Sequence, residues 1–221
     1  ISKNIEDTYK KVINNKIIQI YDGLKINNYY IKNKRILDKK VYNLFLAGRI
    51  TKNKGQFEAV KAINYIKKNT SYKVNLKIVG NVSDNIYYND IVRFINDNNL
   101  EENIKLIPFV VDLKEERMDS DISLTCSYAE ALGRVTIEGM LAGELVIGSN
   151  NYGTKELIKD GVNGLLYKTG DYKDLANKII YAIDNKDIVR KIAVEGQKYA
   201  INNFDTEKQS KKVIEEYKKI I

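Results

Sequence analysis

Short β-forming runs alternate with stretches of helical periodicity along most of this chain. The predicted strands cover residues 16–20, 42–47, 73–79, 104–107, 121–125, 145–148 and 164–167. The predicted helices cover about 56–68, 85–98, 134–142 and 171–184. Two more helices are predicted within 187–221, with a break near 202–205, and Asp205 is the candidate N-cap of the second. Such alternation is typical of βα units, in which helices cover a parallel sheet. An α/β fold is therefore predicted.

Two of the predicted strands, at 44–47 and 121–125, are too continuously apolar for a sheet with one face in water. Strands of this kind are buried on both faces, as in a Rossmann-like, doubly wound and mostly parallel sheet with helices on both faces. Ligands of such sheets bind beyond the carboxyl ends of the strands. The candidate site loops are therefore those that begin at Gly48, Gly80, Pro108, Cys126 and Gly148.

The composition excludes several kinds of chemistry. The 221 residues are 43% hydrophobic and 30% charged, which is ordinary for a folded protein, but they include no histidine. Histidine-dependent nucleophile systems and His-ligated metal sites are therefore excluded. Cys126 is the only cysteine, so no intrachain disulfide can form and a reducing compartment is favoured. The sequence shows neither a membrane-length apolar run nor an export leader, so we expect a cytoplasmic protein.

The positive charge of the chain lies mainly in its opening quarter. The net charge is +8, and residues 1–54 hold thirteen Lys or Arg against four Asp or Glu, whereas the remainder is nearly balanced. Lysine supplies 31 of the 37 basic residues, without an Arg-rich helix or a basic–aromatic pattern, so we expect no nucleic-acid binding. This excess of positive charge either lies on a solvated surface without a partner or attracts an anionic partner, namely the substrate or an acidic membrane.

The first candidate loop, residues 48–55, reads Gly-Arg-Ile-Thr-Lys-Asn-Lys-Gly between a predicted strand and a predicted helix. The glycines at its two ends permit a sharp departure from the sheet and a close approach at the start of the helix. Arg49 and Lys54 would stand near a helix N-terminus, where two cations and the helix dipole suit a pyrophosphate. A solvated basic loop is the alternative interpretation. The loop is not a Walker loop, because the Gly-Lys-Ser/Thr ending is missing.

The second candidate segment, residues 127–143, contains two carboxylates eight positions apart: Glu130 in a loop and Glu138 in the following helix. The free backbone N–H groups of Gly133, Arg134 and Val135 lie between them at the helix N-terminus, which is an anion-binding position. A carboxylate only accepts hydrogen bonds, so one Glu can hold ribose hydroxyls and the other sugar hydroxyls, with phosphates between them. For Glu138 the alternative is a solvent-facing position, which its apolar helix neighbours disfavour.

A third motif, Asp119-Ser120-Asp121, spells the Asp-x-Asp of metal-dependent sugar transferases. Asp121 begins a predicted strand, however, so it lies at the opposite end of the sheet from the expected site. We therefore expect no metal, and expect Arg49 and Lys54 to supply the positive charge instead.

Taken with these motifs, the whole chain resembles the C-terminal, donor-binding half of a GT-B glycosyltransferase, most closely family four with its retaining enzymes. The resemblance is carried by the Gly-Arg…Lys-Gly loop, the Glu-x7-Glu spacing of Glu130 and Glu138, Asp121-Ile122, Gly143 with Val146-Ile147, Gly153…Glu156-Leu157-Ile158, and residues 160–166. The chain departs from the family pattern at Leu145, where proline is usual, and at Val110, where glycine is common.

The resemblance also implies roles for individual residues. It implies that Arg49 and Lys54 bind the donor diphosphate and that Glu138 holds the ribose. It implies that Glu130 is the catalytic residue and that, with the N–H groups at 133–135, it meets the reacting sugar. The base would rest near the loop formed by Pro108, Phe109 and Val110.

The function implied by the resemblance is transfer of a hexosyl group, with retention, from a nucleotide sugar such as a UDP- or GDP-hexose. The acceptor would be a glycan or a lipid-linked glycan of bacterial carbohydrate biosynthesis, reached in the cytoplasm, with peripheral contact with the inner face of the membrane as one hypothesis. No cofactor is expected. Two alternatives stay open: a non-catalytic nucleotide-binding module and a sugar-nucleotide epimerase of the same architecture.

The resemblance also predicts how the chain is organised. Residues 1–221 would form one nucleotide-sugar-binding domain, with 1–40 as an inter-domain lead-in and 187–221 as C-terminal helices. The N-terminal acceptor domain would be absent, since the chain begins with Ile1 and Ser2-Lys3 resembles the segment that follows that domain. We therefore expect these residues alone to be inactive in transfer.

Overall fold

In the computed structural model, which describes residues 2–12 and 17–219, six strands form one all-parallel sheet. The strands are β1 Val41–Ala47, β2 Lys73–Val79, β3 Ile104–Ile107, β4 Ile122–Thr125, β5 Leu145–Ser149 and β6 Leu165–Tyr167. Their order across the sheet is β3-β2-β1-β4-β5-β6, so the order reverses between β1 and β4. The predicted Rossmann-like, doubly wound sheet is confirmed.

Helices link the strands and cover both faces of the sheet. The α-helices of the described residues are α1 Lys3–Lys10, α2 Gln56–Asn69, α3 Asn85–Asp97, α4 Leu113–Arg117, α5 Arg134–Leu141, α6 Tyr152–Leu157, α7 Tyr172–Asp184, α8 Lys186–Asn203 and α9 Thr206–Lys218. On one face α2 packs against α7 and α3, and on the other face α5 packs against α8 and α6. The two central strands are β1 and β4, which contain the two runs predicted to be buried. All of β4 is buried, and in β1 so are Leu44, Phe45 and Leu46, whereas Ala47 is half-buried.

The apolar positions of the longer helices explain why they pack as they do. In α2 the residues Ala59, Val60, Ile63 and Ile66 recur at helical spacing and are all buried. Burying this stripe against the sheet removes it from water, which is the main favourable term for the helix. The final helix, α9, begins as predicted, because the Asp205 carboxylate accepts hydrogen bonds from the first-turn N–H groups of Glu207 and Lys208.

The predicted strand at 16–20 is wrong over residues 17–20, which have no regular secondary structure, and Lys16 lies outside the described residues. The chain there leads instead to the junction of α8 and α9, where the Leu24 N–H donates to the carbonyl of Phe204. The Tyr21 ring packs on the Phe204 ring at 5.3 Å between centroids. The residues that follow the short apolar run therefore pack on a helix junction, and the run itself adds no strand to the sheet.

Candidate functional site

The loops after β1 and β4 lie side by side, because these two strands are neighbours in the sheet. Hydrogen bonds join the loops directly: the Tyr128 N–H donates to the carbonyl of Asn53 at 2.9 Å, and the Asn53 side-chain amide donates to the carbonyl of Ala129 at 3.3 Å. The two sequence motifs thus meet at the carboxyl edge of the sheet. This is the position at which doubly wound sheets bind ligands.

Gly55 permits this close approach. Its φ is +67°, and a Cβ at this position would collide with the carbonyl oxygen of Cys126 at the end of β4. Only glycine combines this backbone conformation with the absence of a side chain. Cys126 itself is fully buried beneath the loops, and burial raises the pKa of its thiol.

Lys54 and Glu130 form an ion pair at the edge of the sheet, with the Lys54 Nζ against Glu130 Oε1. The Ser127 hydroxyl donates to the same carboxylate oxygen at 2.6 Å. Both charged side chains stay partly accessible, at 22% for Lys54 and 13% for Glu130, so a ligand can reach them. Ser127 belongs to none of the predicted roles, although its place three residues before Glu130 marks it as a candidate neighbour.

The N-terminus of α5 has unpaired backbone donors. Gly133 precedes the helix with φ +82° and provides no side-chain cap. The N–H groups of Gly133, Arg134 and Val135 make no hydrogen bond to any residue that the structure describes. Three convergent N–H groups at a helix N-terminus form an anion site, because the helix dipole adds partial positive charge there.

Glu138 lies on the second turn of α5 and is only 7% exposed, so the alternative of a solvent-facing position is wrong. Its carboxylate faces the buried guanidinium of Arg117, with Nη2 and Oε2 3.8 Å apart, and Tyr29 and Arg134 lie beside it. Burial raises the pKa of Glu138, and the charges of Arg117 and Arg134 oppose that rise. Sequence reasoning missed Arg117 and Tyr29, because neither belongs to a recognisable motif.

The remaining predicted residues follow β1 and β3 at the same edge of the sheet. Arg49 is exposed, and its guanidinium forms no ion pair within the described part of the chain. Pro108, Phe109 and Val110 follow β3, which is separated from β1 by β2. Neighbouring strands are about 4.8 Å apart, so this loop lies roughly 10 Å from the loop after β1. Phe109 is 60% exposed.

The loop after β5 supports the segment that carries Glu130. The Asn151 side-chain amide donates to the carbonyl of Tyr128 at 2.8 Å, and the Gly153 N–H donates to the carbonyl of Glu130 at 3.0 Å. A Cβ on Gly153 would crowd the carbonyl oxygens of Glu130 and Ala131. The Glu130 backbone is therefore fixed from the side opposite Lys54.

The Asp-x-Asp motif lies at the amino end of β4, as its place before the strand predicts. The Asp121 carboxylate accepts hydrogen bonds from the Leu37 N–H at 2.6 Å and the Asn43 N–H at 2.8 Å. Asp119 is exposed and pairs with Lys39. These carboxylates therefore tie the residues just before β1 to the amino end of β4, away from the candidate site.

The fold is that of a glycosyltransferase domain of the GT-B class, with an all-parallel sheet whose strand order reverses between β1 and β4. The chain belongs to the family of glycosyl transferases group 1, which matches residues 28–203. None of the helices in the described part of the chain is both long and apolar enough to span a bilayer.

The chain is similar in sequence to several glycosyltransferases and in structure to one solved with its ligands. The uncharacterized glycosyltransferase MJ1178 of Methanocaldococcus jannaschii is 29% identical over 221 residues, covering 94% of this chain and 55% of the relative. The capsular polysaccharide biosynthesis glycosyltransferase CapM of Staphylococcus aureus is 25% identical over 193 residues, covering 84% of this chain and 50% of CapM. The crystal structure of Anabaena HepE in complex with UDP and glucose has a TM-score of 0.82 at 26% identity, covering 90% of this chain and 56% of HepE. The chain thus spans about half the length of these relatives.

Proposed function

We propose that this chain is the donor-binding domain of a glycosyltransferase that transfers a hexosyl group from a nucleotide sugar to a glycan or lipid-linked acceptor. The observation that carries the proposal is the meeting of Lys54, Ser127 and Glu130 with the unpaired N–H groups at 133–135. UDP is the nucleotide we favour, because HepE was crystallised with UDP and with UDP-glucose.

The diphosphate would lie between the loop after β1 and the N-terminus of α5. Lys54 has three donors, so it can contact a phosphate oxygen while it keeps its ion pair with Glu130. The free N–H groups of Gly133, Arg134 and Val135 would bind the same group, and the exposed Arg49 would close over it. Fixed positive charge at this position stabilises the negative charge that develops on the leaving diphosphate.

The two carboxylates would hold the hydroxyl-bearing ends of the donor. Glu138 would accept hydrogen bonds from the ribose, and Glu130 would accept them from the reacting sugar, because an ionised carboxylate can only accept. Glu130 is the catalytic residue in this proposal, since it touches the sugar whose bond breaks. We propose retention of configuration from the resemblance to retaining enzymes. Pro108, Phe109 and Val110 would contact the base from the loop after β3.

The acceptor would be bound by a portion of the protein outside these 221 residues, since the chain spans 55% of MJ1178 and 56% of HepE. In this view residues 1–40 are the lead-in from that portion and 187–221 are C-terminal helices. The described domain by itself would bind the donor without transferring its sugar. The whole enzyme would work in the cytoplasm, with peripheral contact with an anionic membrane.

The test of the site is calorimetric titration of the chain with UDP, with GDP and ADP in parallel, in the presence and absence of EDTA. Because Arg49, Lys54 and the N–H groups supply the positive charge, UDP affinity is expected to be unchanged by EDTA. A matched Lys54→Gln variant is expected to weaken UDP binding. Loss of binding on chelation would contradict the metal-free site, and absence of binding by all three nucleotides would contradict the donor-binding function.

A further inference from the structure

A cluster of four charged side chains, here called the buried ion cluster, lies beneath the candidate ribose-binding position. It consists of Lys34, Arg117, Glu138 and Glu144. The exposed fractions of their side chains are 5%, 0%, 9% and 0%, respectively. Buried charges are costly unless they are paired and hydrogen-bonded, so their arrangement is under tight constraint.

The guanidinium of Arg117 is fixed on several sides. Its Nη1 donates to the Ser123 hydroxyl at 3.2 Å and pairs with the Glu144 carboxylate. Its central carbon lies 4.3 Å from the centre of the Phe45 ring, which is a cation–π contact. Lys34 contacts both the carbonyl of Arg117 and the other oxygen of Glu144. The guanidinium therefore has little freedom to turn.

The Nη2 of Arg117 points to Glu138 without bonding to it. The distance from Nη2 to Glu138 Oε2 is 3.8 Å, which is too long for a hydrogen bond. Neither atom has a hydrogen-bond partner among the described residues. Arg117 therefore attracts the carboxylate by charge alone and occupies none of its acceptor positions.

The charges of the buried ion cluster balance only when Glu138 is ionised, because two cations then face two carboxylates. The other groups that face Glu138 are Arg134 on the same helix and the Tyr29 hydroxyl from the lead-in segment. Burial raises the pKa of Glu138, and Arg117 is the strongest of the groups that oppose the rise, whereas Glu144 adds to it. Without Arg117, the buried carboxylate would take up a proton more readily.

We propose that Arg117 is a positioning residue that keeps Glu138 ionised and oriented to accept hydrogen bonds from a vicinal diol of the ligand. This inference rests on the proposed function, in which the diol is that of the nucleotide ribose. A protonated Glu138 would become a donor at one oxygen and would lose the stronger, charge-assisted bonds to the hydroxyls. Arg117 itself need not touch the ligand.

The experiment measures the affinities for UDP and for inorganic pyrophosphate between pH 6.5 and pH 9. The test variant is Arg117→Met in a Glu144→Gln background, which removes one cation and one carboxylate together. Its matched control is Glu144→Gln alone, which keeps Arg117. In the wild type and the control, the preference for UDP over pyrophosphate is expected to follow one common pH dependence, set by the ionisation of the two ligands. In the test variant this preference is expected to be lower than in the control at pH 7, because more of Glu138 is protonated, and to approach that of the control as the pH rises.

A folded test variant that keeps the wild-type preference at every pH would overturn the inference. So would a loss that affects UDP and pyrophosphate equally without pH dependence, since that result indicates a purely structural role. If the test variant does not fold, the ionisation of Glu138 in the wild type is measured by carbon-13 NMR titration of its carboxyl group, with the signal assigned by means of Glu138→Gln. A carboxyl group that is protonated at pH 7 overturns the inference, and an ionised one supports it.

These results separate the inference from the proposed function. A wild-type chain that does not bind UDP contradicts the proposed function. Suppose instead that the wild-type chain binds UDP and that Glu138→Gln loses the preference for UDP over pyrophosphate. If the folded test variant then keeps this preference, only the role of Arg117 is contradicted.

Discussion

Single side chains at the carboxyl edge of the sheet have different surroundings, and these surroundings separate their proposed roles. Arg49 is exposed and outside any ion pair in the described part of the chain, whereas Glu138 is almost fully buried against Arg117. An exposed cation can act on any anionic ligand that enters. A buried carboxylate acts only on the group that reaches it, so the two residues should respond to different parts of a nucleotide.

Substitution of Glu138 by Gln should weaken UDP binding more than pyrophosphate binding, because the lost contact is to the ribose. The loss of a charge-assisted hydrogen bond is worth roughly 1.5–3 kcal/mol. Arg49→Ala should weaken both ligands, since its proposed contact is to the phosphates. Calorimetry with the two ligands measures both effects. The role assignment is wrong if the two variants give the same ligand profile.

Glu58 on α2 is a second buried carboxyl whose environment affects stability. It is 6% exposed, and burial raises its pKa, with Tyr167, Tyr128 and the backbone of Gly170 opposing the rise. The folded state therefore holds the proton more tightly than the unfolded state. Its contribution to stability is full below the ordinary pKa of a Glu and is lost as the pH rises through the folded-state pKa.

It follows that Glu58→Gln should gain stability relative to the wild type on going from pH 4.5 to pH 8, because glutamine cannot ionise. Urea denaturation at the two pH values gives the two unfolding free energies. The matched control is Glu215→Gln, an exposed position on α9, which should show no such gain. An advantage of Glu58→Gln that is greater at pH 4.5 than at pH 8 would contradict the raised pKa of Glu58 in the folded state.

At the scale of the elements, the site depends on how closely the loop after β1 approaches the end of β4. Gly55→Ala would add both backbone strain and a collision with the Cys126 carbonyl. Strain of this kind costs roughly 1–3 kcal/mol, and the collision adds to it. Gly161→Ala is the matched control, because Gly161 has a similar φ of +73° but no atom within 4 Å of the added Cβ.

Gly55→Ala should therefore be the more destabilised variant and should also lose UDP affinity, whereas Gly161→Ala should keep that affinity. Thermal unfolding and calorimetry measure the two effects. Equal destabilisation of both variants would show that the close approach of the loops has no energetic importance.

Elements with strong local patterns could be predicted from the sequence, and those set by tertiary contacts could not. The strands β2 and β3 have the predicted bounds, because each alternates apolar with polar residues between turn-forming residues. The helix α4 has only five residues and no periodicity to reveal it. Arg117 at its end could not be assigned a partner, since Glu144 and Glu138 come from a distant segment that the fold brings beneath it. The Lys54–Glu130 pair likewise depends on the adjacency of β1 and β4.

The charge distribution belongs to the scale of the whole molecule. The excess over residues 1–54 is not all surface charge, because Lys34 is buried in the ion cluster. Lys25, Lys32 and Lys40 are exposed and remain available to an anionic partner. Each accessible lysine near an anionic leaflet contributes about 1 kcal/mol, an effect that falls off within a Debye length.

The chain is therefore expected to co-sediment with anionic vesicles at low salt, and less so at moderate salt, while neutral vesicles are not bound. A variant with Lys25, Lys32 and Lys40 replaced by Gln is the control and should bind less. Equal sedimentation with both vesicle types, or none with either, would remove the membrane hypothesis and leave a solvated surface.

The burial of Cys126 beneath Gly55 makes this thiol an internal reporter of motion at the carboxyl edge of the sheet. A thiol reagent can reach this single thiol only while the packing around it is open, and such local openings cost less free energy than global unfolding. The labelling rate therefore measures how often that edge opens. A ligand that bridges Lys54 and the start of α5 would hold the edge shut, so occupancy of the site would slow the modification of a residue that never touches the ligand.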